Sequence, residues 1–169
     1  SAYIQDRIEF GAWVLTPGIR YENIDQKRTR WETRVGHTED PASRDPSNFR
    51  DSRKNHTEVW LPGMGALYLI NDQLTLVAGV HKGFTAPSNS PNVEEEIAIN
   101  YEFGFRLNRD NLSTEVIYFL SDYDNLLGEC TSSSGSDCAI GDAFNGDAAT
   151  VQGIEFMFST SLWQQNSFN

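Results

Sequence analysis

EIAINYEFGFR, residues 96–106, is the stretch that decides the fold. Ile97, Ile99, Tyr101, Phe103 and Phe105 fall on one side of an extended chain, and Glu96, Ala98, Asn100, Glu102, Gly104 and Arg106 on the other. Successive side chains of a strand point to opposite faces, so strict alternation of apolar and polar residues is a strand signal. An ordinary half-buried strand runs to about 5 or 6 residues. This one keeps its alternation for eleven, close to the ~9–11 residues a tilted strand needs to cross a bilayer.

The pattern recurs on either side. Ala12 to Glu22 places Trp13, Leu15, Pro17, Ile19 and Tyr21 on one face. Thr57 to Ile70, Gln73 to Phe84, Leu112 to Asp124 and Thr150 to Phe158 read as further long strands, and Ala2 to Ile8 as a short, weakly patterned seventh. Pro17 and Pro62 fall inside two of them, where a missing donor predicts local bulges. The connections alternate in length. Short turns are expected near Glu9 to Gly11, at Asn71 and Asp72, and at Asn108 to Asn111, and longer polar loops over Gln26 to His56, Thr85 to Glu95 and Asn125 to Ala149. Up-and-down strands joined by short turns at one end and long loops at the other are the mark of an outer-membrane barrel. The chain thus reads as all-β, with about seven antiparallel up-and-down strands. An odd number leaves two unpaired edges, which lipid does not tolerate, so residues 1–169 are expected to be a partial barrel domain, a segment of a larger one.

Composition agrees. The net charge is −11, from 24 acidic and 13 basic residues, which disfavours nucleic acid as a partner. No run of 18 apolar residues suggests a spanning helix, and the first residues have no signal-peptide pattern.

The motifs WVLTPGIRYE at 13–22, LPGMGALYLI at 61–70, GVHKGFTAPS at 79–88, NYEFGFR at 100–106, IYFLSDYDNLLG at 117–128 and VQGIE at 151–155 occur in an order and spacing that resembles the barrel of TonB-dependent outer-membrane receptors. The branch it is most similar to takes up ferric citrate and related ferric siderophores. The resemblance implies a barrel of about 22 strands with a plugged lumen, localisation in the bacterial outer membrane, contact with its lipid, and energy delivered by TonB to an N-terminal part. Neither that plug nor the TonB contact is recognisable in residues 1–169, and Asn169 is not the terminal aromatic expected of a complete barrel. The ferric chelate would be cargo, with no resident cofactor or metal.

Charge is unevenly placed. Eight basic against five acidic residues leave Gln26 to His56 at +3 and the remainder of the chain at −14. A basic extracellular loop would concentrate an anionic chelate, and guanidinium forks suit carboxylates. Arg28, Arg30 and Arg34 are the ligand-contact candidates there, with Trp31 adding an apolar surface. The competing reading is charge that keeps a loop solvated or pairs with lipopolysaccharide phosphates. Arg20, His81, Glu102 and Arg106 project from the polar strand faces, where they would line the lumen; Arg20 and His81 are further ligand candidates, against plain wall lining. His37 and His56 have no spacing that makes a metal pair, and Asp122 to Ser133 fails the calcium-loop pattern at its fifth and twelfth positions.

No G-x-S-x-G, H-E-x-x-H or P-loop occurs, so an enzyme is not expected. Two other readings are a secreted all-β carbohydrate-binding module and a passive porin. In the former, the odd-numbered face of Glu96 to Arg106 would pack on a second sheet; in a barrel it meets lipid. Cys130 and Cys138 flank a Ser/Gly segment short enough to bring their Cα atoms into bridging range, and an oxidising exterior favours the bond. The unreduced protein should therefore weigh two hydrogens less than its reduced form; alkylation of both thiols in native material would contradict the bridge.

Overall fold

In lipid a backbone N–H or C=O has no water to bond, so extended segments must satisfy one another along their whole length. The computed structural model of this protein, which describes residues 1–31, 46–87, 93–131 and 143–160, does so with one antiparallel sheet. Its strands are β1 (Ala2–Gln5), β2 (Ile8–Phe10), β3 (Trp13–Trp31), β4 (Phe49–Leu69), β5 (Leu74–Thr85), β6 (Glu96–Arg109), β7 (Leu112–Asp124) and β10 (Ala149–Thr160). They lie in the order β1-β3-β4-β5-β6-β7-β10, with β2 also paired to β3. A separate hairpin joins β8 (Leu127–Glu129) to β9 (Ala143–Asn145). Since β1 and β2 pair successive parts of β3, the expected Ala2 to Ile8 strand is one pass broken at Asp6 and Arg7.

The register carries the alternation across the sheet. Phe103 pairs with Ala78 on one side and Tyr118 on the other, and Tyr118 in turn with Ile154. These rows form an outward face on which Phe103 is 59% and Ile154 72% exposed. The one amide in these rows, Gln152, accepts a hydrogen bond from the Tyr118 hydroxyl at 2.7 Å. Two aromatic pairs bracket the apolar band: Trp13 with Tyr68 and Tyr21 with Trp60, each with ring centroids 4.7 Å apart. They are separated along both strands by a run of about 26 Å, at roughly 3.3 Å per residue. Tilted by ~40°, that run spans about 20 Å along the bilayer normal, somewhat less than the ~25 Å typical of the band between aromatic girdles.

The inward face carries Gly18, Gly63, Gly65, Gly79, Gly83 and Gly104 among polar side chains. Gly104 is required by close approach: a Cβ there would overlap the Val116 carbonyl and the Ile117 side chain.

Three expectations need correction. No bulge accompanies either proline, the only register shift between β3 and β4 being at Arg30 and Trp31. The reason is where each missing donor points. The Pro17 carbonyl accepts from Asp6 N at 3.0 Å, so the Pro17 nitrogen, on the same edge, faces the break between β1 and β2. Pairing of β4 with β5 stops at Gly63, one residue before Pro62. Second, Gln26 to His56 is not one loop, because the ladder continues from Asn23 opposite Glu58 to Trp31 opposite Phe49. Outside lipid both faces of a strand can be polar, and this ribbon lacks the apolar alternation that betrays a strand. Third, the expected loop from Asn125 to Ala149 contains the β8–β9 hairpin.

A nitroxide placed at 101 or 103 in the parent protein should be relaxed by a lipid-soluble quencher, and one at 100 or 102 should not. The opposite parity would invalidate the assignment of faces.

Candidate ligand-recruiting site

Two inward-facing regions carry the candidate side chains. The lower is a trough of about 850 Å³ on the inner wall, whose lining includes Gly18, Arg20, Gly63, His81 and Glu102. His81 stands opposite Gly63 on one neighbour and Asn100 on the other. Nothing but backbone lies across from it on β4, and the Gly63 position is tight against the His81 Cβ. Arg20 is held by Glu22 at 3.1 Å, and lower on the wall Arg106 is held by Glu115 at 2.5 Å. Neutralised pairs of this kind suit a polar wall lining.

The upper region is the ribbon that β3 and β4 form beyond Gly63. Its inward side sets Gln26 opposite Asn55, Arg28 opposite Arg53 and Arg30 opposite Asp51. Trp31 ends the ladder, edge-on to Phe49 with centroids 5.8 Å apart; it belongs to a strand and not to a loop. Arg28 and Arg30 are likewise ladder residues, whereas Arg34 lies outside the described residues. The structure thus groups Arg20 with His81 in the trough and Arg28 with Arg30 on the ribbon, and does not merge the two sets. Cys130 is buried, at 1% exposure, and Cys138 and His37 lie outside the described residues.

Reasoning from sequence missed the partners that complete the ribbon. Arg53 and Asp51 become neighbours of Arg28 and Arg30 only once the hairpin register is known. On the outward side His56 sits between two carboxylates, its Nδ1 2.8 Å from Asp25 Oδ1 and its Nε2 3.3 Å from Glu58 Oε1. This cluster lies four residues beyond Trp60 on β4, above the outer girdle. The hydrogen bond to Asp25, and then that to Glu58, raises the His56 pKa above its ordinary value. Among the described residues no three His, Cys, Asp or Glu side chains are placed to hold a metal ion together.

Above the short turns the loops are tied together by side chains. Asn145 Nδ2 donates to the Glu94 and Asn125 carbonyls at 3.0 and 3.1 Å, and the Leu127 amide donates to Glu96 Oε2 at 2.8 Å. The β8–β9 hairpin is thereby fixed to the start of β6.

The family described as TonB dependent receptor-like, beta-barrel matches residues 1–169, the whole chain. The chain belongs to that family. Among solved structures, this receptor barrel is similar to the alcaligin outer membrane receptor FauA from Bordetella pertussis, at 20% identity and a TM-score of 0.67, covering 95% of this chain and 27% of that one. It is also similar to the siderophore receptor PirA from Pseudomonas aeruginosa, at 22% identity and a TM-score of 0.60, covering 91% and 26%. A third is the FrpB iron transporter from Neisseria meningitidis, at 15% identity and a TM-score of 0.66, covering 95% and 23%. The receptor barrel described here therefore spans about a quarter of the length of these chains. Family and neighbours are receptors and transporters rather than enzymes.

A His whose folded-state pKa is raised contributes stability fully present below its unfolded value, near 6.5, and lost as pH rises through the higher folded value. In the parent receptor the His56 ring should titrate above 6.5 by NMR. The midpoint should fall in Asp25→Asn, and an unchanged midpoint would remove the assigned cause.

Proposed function

We propose that the polypeptide to which this barrel segment belongs is a bacterial outer-membrane transporter that takes up a ferric siderophore or ferric citrate. The segment contributes barrel wall and an extracellular ribbon that recruits the ligand. The family match over residues 1–169 carries the reading, and the basic ribbon standing above an aromatic girdle supports it. The edges β1 and β10 would pair with further strands, the plug and the TonB contact belonging to an N-terminal part outside this segment.

Within that function Arg28, Arg30 and Arg34 would attract an anionic chelate and Trp31 would give it an apolar surface. Attraction of this kind acts over about 8 Å at physiological salt, so it serves the last approach rather than long-range capture. Arg20 and His81 would meet cargo lower on the wall. A bridge between Cys130 and Cys138 would stiffen the loop that carries the β8–β9 hairpin. The ferric chelate is cargo, and no resident cofactor is required. The outward rows, with no second sheet over them among the described strands, weigh against the carbohydrate-binding alternative.

Cells lacking their own ferric-chelate receptors should regain growth on ferric citrate or a ferric siderophore under iron limitation when given the parent protein. The rescue should vanish when TonB is deleted. Rescue that survives the deletion would point to a passive porin, and no rescue by any chelate would end the transport reading.

A further inference from the structure

The outward face of the ribbon carries, rung by rung above the Tyr21–Trp60 girdle, Asn23 with Glu58, Asp25 with His56, Lys27 with Lys54 and Thr29 with Ser52. Parity sorts the basic residues here: Arg28, Arg30 and Arg53 turn inward, whereas Lys27 and Lys54 turn outward and are exposed. Three of these four rungs are closed by side-chain contacts, Asn23 to Glu58 at 3.0 Å, His56 to Asp25 at 2.8 Å and Thr29 to Ser52 at 3.5 Å. The Lys27–Lys54 rung is not, and among the described residues neither ammonium has an ion-pair or hydrogen-bond partner. Opposed residues in an antiparallel ladder have Cα atoms only about 4.5–5.5 Å apart, and like charges so placed weaken the sheet. An anion shared between the two ammonium groups would remove that repulsion.

A hollow of about 380 Å³ lies at this rung, lined by Asp25, Gln26, Lys27, Lys54, Asn55 and His56. It is within the range of roughly 300–1,000 Å³ that holds small organic ligands, more room than a bare anion fills. Its one carboxylate, Asp25, is already engaged by His56, so the two lysines dominate its charge. Height then decides between membrane partners. Lys27 lies six residues past Tyr21, and Lys54 six past Trp60, a run of about 20 Å at roughly 3.3 Å per residue. A tilt of ~40° puts the pair about 15 Å above the girdle, whereas lipid headgroups occupy only about 5–8 Å outside the hydrocarbon on each side. The lysines therefore stand above phospholipid phosphates, at the level of saccharide carried by an outer-leaflet glycolipid. We propose that Lys27 and Lys54 bind a phosphate on the saccharide headgroup of such a glycolipid, lipopolysaccharide in a bacterial outer membrane, with Asp25 and His56 beside them available to the sugar hydroxyls. The site goes beyond the transport reading and requires only that the barrel sits in the outer membrane.

The probe is lipopolysaccharide with a phosphorylated core, titrated into the purified full-length receptor in detergent, and native mass spectrometry reads the fraction of receptor carrying one glycolipid. The comparators are the same material dephosphorylated with hydrofluoric acid, and phosphatidylglycerol. The phosphorylated form should bind about tenfold or more tightly than either, the scale of one charge-assisted contact. Lys27→Gln combined with Lys54→Gln should abolish that preference, Lys27→Arg combined with Lys54→Arg should keep it, and Arg53→Gln, on the inward face, should leave it unchanged. Heat-modifiable migration establishes that each variant is folded, and Lys54→Gln alone serves should the double variant fail that check. Equal binding of the phosphorylated and dephosphorylated forms, or by the unmodified and glutamine receptors, overturns the site. Phosphatidylglycerol bound as tightly, or displacement of the glycolipid by equimolar inorganic phosphate, overturns its assignment to a saccharide headgroup.

Discussion

Every other feature of this sheet depends on the requirement that backbone groups facing lipid find partners within the protein. The ladder from β3 to β10 meets it through most of the apolar band, the β4–β5 pairing ending at Gly63. Prolines are admitted only where a donor is not called for, at the break between β1 and β2 and at the end of the β4–β5 pairing. Gly104 allows β6 and β7 to come together where a side chain would hold them apart. Side-chain chemistry is then sorted by the two-residue period, with lipid on one face and the interior on the other.

The same ladder changes character above the outer girdle. On the wall, inward charges are neutralised in place, Arg20 by Glu22 and Arg106 by Glu115. On the ribbon, Arg28 opposes Arg53, and polar atoms remain unmet. Surface ion pairs of the first kind contribute little to stability, typically ~0.2–1 kcal/mol, and act mainly to make a polar interior tolerable. An arrangement of the second kind costs stability.

Much of the fold was legible because lipid enforces alternation. Leu112 to Asp124 matches β7 at both ends, and Glu96 is the first residue of β6 as expected. The ribbon was illegible for the converse reason: between Asn23 and Trp31 both faces meet water or polar neighbours, so no hydrophobic period marks the strand. The β8–β9 hairpin, three residues a side, is too short for any period to emerge. For the site, residue type was readable and pairing was not. Arg28 and Arg30 could be named from charge, but Arg53 and Asp51 lie more than twenty positions away in sequence and meet them only through register.

The register shift at Arg30 and Trp31 marks where the ribbon stops obeying the parity of the wall. Beneath it, inserting one residue in β3 alone would turn Arg28 and Arg30 outward and Asp25 inward, parting them from Arg53 and His56 on β4, since each step reverses the face. Matched two-residue additions to both strands would lengthen the ribbon and keep Arg28 and Arg53 facing inward. Related receptors can therefore diversify in steps of two along the ribbon without disturbing the strands that lipid holds in place.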